Sequence, residues 1–127
     1  MGLPRILLMV LRAAAALLVI LGVGLWTGHW YTLVGVHRTI GMLFVITLWA
    51  IAVLAMVQRR AVGLAAFALL WGLVVAALGY THQRILPGDL HWIVRVLHLI
   101  IGLAAMPIAE RLAPNTRRIA TPAAPPA

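Results

Sequence analysis

A chain of 127 residues that is 65% hydrophobic and 9% charged carries more apolar surface than a soluble domain of this size could bury. Its formal charge of +8 comes entirely from arginine, and the arginines are not gathered on a polar face with aromatics between them, which argues against nucleic-acid binding. The absence of both Cys and Ser excludes thiol and serine nucleophiles, disulfide exchange, Cys-ligated iron–sulfur clusters and covalent haem attachment.

Four apolar stretches follow one another, each near the ~20 residues that cross a hydrocarbon core, where the backbone must be helical. The first runs from Ile6 to Trp26 behind Arg5, with Arg12 near its start. It lacks a small-residue cleavage pattern, so it reads as a retained helix rather than a signal peptide. Gly22 and Gly24 near its end read as contact points that let helices approach. His29 follows beside Trp26, Trp30 and Tyr31, the company of an interface belt.

The second stretch, Gly35 to Val57, opens with His37-Arg38-Thr39-Ile40-Gly41. Positions i and i+4 share a helix face, so the imidazole of His37 stands beside a position with no side chain. Gln58-Arg59-Arg60 leads to the third stretch, Val62 to Thr81, whose Gly72 and Gly79 again read as packing glycines and which ends at His82, beside Tyr80. Trp49 and Trp71 fall near the middle of their helices, where filling the core and flanking a macrocycle are both open.

The fourth stretch, Leu90 to Ile108, follows Pro87-Gly88, with Asp89 placed to cap it. It repeats the pattern as His98-Leu99-Ile100-Ile101-Gly102, and His91, Arg95, His98 and Gly102 share one face. Pro107 is positioned to bend the helix. Residues 113–127, rich in Ala and Pro, read as a disordered cytoplasmic tail after a 1–112 transmembrane domain.

Arg5, Arg12, Arg59, Arg60 and Arg111 cluster at one end of the helices, with Arg117 and Arg118 beyond, and the positive-inside rule places that end in the cytoplasm. The expected fold is all-α: a four-helix transmembrane bundle with both termini cytoplasmic, in a bacterial inner membrane. All five histidines then fall in its outer half. Ionisable side chains inside transmembrane helices are costly and mark functional sites by default.

A haem b between His37 and His98 uses the pattern in full, with imidazoles on the iron, Gly41 and Gly102 clearing the ring and Arg38 and Arg95 near the propionates. A cofactor-free hydrogen-bond cluster uses the same residues. One count runs against His98: His37 precedes Arg59 by 22 residues and His98 precedes Arg111 by 13, a mismatch of about 13 Å of helix. Tilt, or a fourth helix running past Arg111, would reconcile the two. His91, which precedes Arg111 by 20 residues, is the alternative ligand.

His-Arg-x-x-Gly in the second helix and His-x-x-x-Gly in the fourth resemble one four-helix half of haem A synthase, and the ligand logic is shared by other membrane b-type cytochromes. The resemblance implies axial ligation of haem b by His37 and His98. The oxidising half of that synthase carries a glutamate three residues before its His-Arg pair, where this chain has Val34. The resemblance therefore extends to haem binding and not to haem modification.

Three functions are compatible with these features. The first is a b-type cytochrome that passes electrons between the quinone pool and a redox partner at the outer face, acting as a subunit or homodimer rather than a stand-alone enzyme. The second is an accessory subunit of a larger respiratory or photosynthetic complex. The third is copper or zinc handling by the outer histidines.

Overall fold

The computed structural model of the chain describes residues 2–113. Helices α1 (Leu3–Trp26), α2 (Val34–Val57), α3 (Val62–Thr81) and α4 (His91–Leu112) are joined by short connections, with single 3₁₀ turns at Tyr31–Leu33 and His82–Arg84. All four are long and apolar enough to cross a membrane. The predicted tail lies outside the described residues except for Ala113, which is buried and donates its N–H to the Ala109 carbonyl at 2.9 Å.

Two of the helix ends share one device. At the end of α1, Gly28 adopts φ +81° while its N–H and that of His29 donate to the carbonyls of Leu25 and Gly24, which closes the helix in a Schellman motif. At the end of α2, Arg59 takes the same role with φ +52°, a conformation that is unfavourable for a residue with a Cβ. The fourth helix begins differently from expectation. Its N-cap is Leu90, with no side-chain cap, because Gly88 at φ +92° turns the chain so that its own carbonyl accepts the His91 N–H at 3.0 Å. Asp89 is therefore not a capping residue.

Helices α2 and α4 each pack on all three of the other helices, and α2 makes the closest association with its two sequence neighbours, α1 and α3. The close-packed core lies toward the α2–α3 turn. There Phe44, Leu48, Ile51 and Ala55 of α2 meet Leu11 of α1, Ala65 and Ala68 of α3, and Ala105 and Ala109 of α4. Alanines facing one another let helix backbones approach, the main source of association where lipid is as apolar as the core.

Polar groups in this half are paired. Thr47 donates to the Leu43 carbonyl at 2.7 Å. The Trp49 indole donates to the Leu69 carbonyl and that of Trp71 to the Ile101 carbonyl, each at 3.0 Å. Trp49 reaches its acceptor by passing over Gly72, where a Cβ would overlap the indole. Both tryptophans are thus ties between helices, and neither lines the cavity described below.

The mismatch counted from the arginines is resolved by stagger. Leu112 ends α4 fourteen residues past His98, whereas Val57 ends α2 twenty residues past His37, so α4 stops about 9 Å short at that end. It projects further at the other end, with seven residues before His98 against three before His37. The Leu112 end of α4 is held to α1 by the ion pair of Arg12 Nη2 with Glu110 Oε1 at 2.6 Å.

Candidate functional site

Opposite the close-packed core, the helices enclose a cavity of about 300 Å³. That is the lower end of the range for ligand pockets, roughly 300–1,000 Å³. Its walls are apolar side chains of all four helices, and the imidazoles of His37 and His98 face one another within it. The stagger of α4 brings the two to one level, with ring centres 6.4 Å apart and planes inclined at 50°.

The surroundings of each ring are matched. A Cβ placed on Gly22 of α1 would stand 3.7 Å from Cε1 of His37, and one on Gly79 of α3 would stand 3.7 Å from Cε1 of His98. In each hairpin the first helix thus presents a bare backbone to the histidine of the second. One turn deeper, a Cβ on Gly41 would reach only Leu18 at 3.9 Å, and one on Gly102 would meet nothing within 4 Å. Gly102 therefore serves no helix contact and opens space in the cavity. Gly22 and Gly79, read from sequence as packing positions, belong to the site as well.

The two imidazoles are chemically incomplete. Nδ1 of His37 and Nδ1 of His98 are buried without a hydrogen-bond partner, a state that costs free energy when nothing offsets it. Arg38 and Arg95 line the same cavity, and among the described residues the one ion pair is the distant Arg12–Glu110 contact, so neither guanidinium has a carboxylate partner there. An apolar slot with two inward imidazoles and two uncompensated cations suits a flat, anionic amphiphile.

An imidazole nitrogen sits about 2.0–2.1 Å from a first-row metal such as zinc, so two rings on opposite sides of one ion, with about 1.1 Å from nitrogen to ring centre, would stand with centres roughly 6.3 Å apart. The observed 6.4 Å fits that span.

Two further histidines join the cluster. The ring of His82 stacks on His98 with centres 5.3 Å apart and planes at 14°, and the rings of His82 and His91 stack at 6.1 Å and 22°. His82 Nδ1–H donates to the Gly79 carbonyl at 3.1 Å and His91 Nδ1–H to the Ile85 carbonyl at 3.2 Å. The ring adjoining His37 is that of His98, with His91 two rings away.

His82, read from sequence as an interface residue, is half-buried and lines the cavity. The signal that would have found it is its distance of three residues from Gly79, which brings it back to the same helix face. His29 stays apart, exposed and paired with Thr27 Oγ1 at 3.1 Å.

Among the described residues no group of three or more His, Cys, Asp or Glu side chains is arranged to hold a metal ion. No known protein family, curated protein or solved structure matches the chain.

Proposed function

We propose that this chain is a b-type haem protein of four transmembrane helices, with His37 and His98 as axial ligands. One observation carries the reading: two half-buried imidazoles converge on a single apolar cavity at one level, their ring centres 6.4 Å apart and each with its Nδ1 buried and unpartnered. Gly22, Gly41, Gly79 and Gly102 keep side chains out of the space beside and beneath the rings. Arg38 and Arg95 would bind the carboxylates of the group at the cavity mouth.

When bound, the haem supplies one-electron chemistry, and the chain supplies ligation, burial and exclusion of water. The cavity lies at the end of the bundle that holds Gln83 and Tyr31, which the arginine distribution assigns to the outer face. Electron exchange at that face, with a lipid-dissolved quinol or a redox subunit, follows from this placement. The connections are short, which leaves little surface for a soluble substrate and favours work as a subunit or homodimer.

Purification in mild detergent, with an optical spectrum and haem quantification, tests the reading. A red protein with paired alpha and beta bands and one haem per chain is expected. Colourless protein that co-purifies within a stable membrane complex would replace it with an accessory-subunit role.

A further inference from the structure

We infer that His82 is a positioning residue for His98, holding the plane of that ring by stacking; the consequence for haem rests on the reading above. His98 makes no hydrogen bond to the described residues through Nδ1, so nothing polar sets its rotation about the bond to the ring. What bounds it is a flat surface on one side. The His82 ring lies against it with centres 5.3 Å apart and planes at 14°, within the ~4.5–7 Å range of favourable ring pairs.

His82 is itself fixed twice. Its Nδ1–H is tied to the Gly79 carbonyl, and its other ring neighbour, His91, is tied by Nδ1–H to the Ile85 carbonyl. The three rings form a stack anchored on backbone at two points, ending on the ring that lacks an anchor. Gly79 serves two rings of the stack, because its carbonyl holds His82 while its missing Cβ leaves room for Cε1 of His98 at 3.7 Å. His37 has no such support: its single ring neighbour is His98, inclined at 50°.

This differs from the usual way of orienting a ligand histidine, in which the second ring nitrogen donates to a carbonyl or carboxylate. Here the hydrogen bond is made one ring away and transmitted through an offset, near-parallel ring pair. The ring of His82, rather than its nitrogens, is what His98 requires.

The test compares wild type with His82→Ala, His82→Leu and His82→Phe. Leu keeps apolar volume without a flat ring, and Phe keeps the ring without the nitrogens. In haem-free protein labelled on histidine, the His98 ring resonances should shift and broaden in the Ala and Leu variants and return toward wild type in Phe. In haem-loaded protein the same pair should shift or broaden the low-spin electron paramagnetic resonance signal, whose largest g-value responds to the angle between axial ring planes. Haem stoichiometry should stay within about twofold of wild type.

Unchanged His98 resonances in Ala and Leu would overturn the inference whatever the haem content, as would a Phe variant that behaves like Ala. Wild-type protein without haem, in which the resonance pattern still holds, would refute the haem reading and leave the positioning role intact.

Discussion

The two hairpins of this bundle solve one problem in parallel and then part company. In α1–α2, Gly22 faces His37 and Gly41 lies a turn deeper; in α3–α4, Gly79 faces His98 and Gly102 lies a turn deeper. The separation between glycine and ring is 3.7 Å in both. Yet His37 has a single ring neighbour, His98, inclined at 50°, while His98 ends a stack of three imidazoles rooted in the α3–α4 connection. The minimum for holding a buried imidazole is thus a bare backbone opposite and a gap beneath. The additions in the second hairpin are the ones proposed to set orientation.

The sharpest way to break the parallel is to remove the rings one at a time. His37→Ala and His98→Ala should each abolish the low-spin spectrum and reduce bound haem at least tenfold, since a single axial imidazole remains in either case. Haem retained in His98→Ala and lost in His91→Ala would transfer the role to His91.

The next largest effect separates glycines that clear a ligand from glycines that seat a helix. Gly102→Leu should cut haem content severalfold without destabilising the haem-free protein, because no atom lies within 4 Å of the added Cβ. Gly72→Ala should do the reverse: overlap with the Trp49 indole should lower stability by about 1–3 kcal/mol, measured by thermal unfolding in detergent, while the haem-to-protein ratio of the folded fraction stays constant.

Within the site, Gly22→Leu and Gly79→Leu should reduce haem content to a similar extent if the two halves are equivalent. Gly22→Ala and Gly79→Ala should be tolerated at 3.7 Å, an ordinary contact distance. A larger loss for Gly79→Leu would mean that crowding also disturbs the His82 bond to the Gly79 carbonyl.

The smallest expected change is in the ion pair that ties the hairpins at the far end. With side chains 55% and 46% exposed, Arg12 and Glu110 should show a coupling of about 0.5 kcal/mol in a double-mutant cycle. Haem binding should not respond.

Much of this was legible in the residues. Helix ends at Trp26, Val57, Val62 and Thr81 follow from where the apolar runs stop, and two histidines with glycine at i+4 announce a shared pocket before any packing is known. Three features were not legible, for different reasons. The start of α4 is set by the left-handed backbone of Gly88, so a nearby carboxylate was mistaken for a cap. The level of His98 depends on axial stagger, and arginine counting assumes helices that end flush. The roles of Gly22, Gly79 and His82 are relations between helices, invisible until the antiparallel register is known.

The division of the site between hairpins constrains how the protein is made. The α2–α3 turn closes within four residues, Gln58 to Ala61, through two left-handed residues, Arg59 and Ala61. A nascent chain that has emerged only this far has already committed His37 to a greasy interior with no opposing ring. The pocket exists only after α4 has been threaded, so any occupant must arrive after that helix has emerged. Each hairpin made separately would be a stranded half, and mixing the two halves in one membrane should restore the pocket that neither has alone.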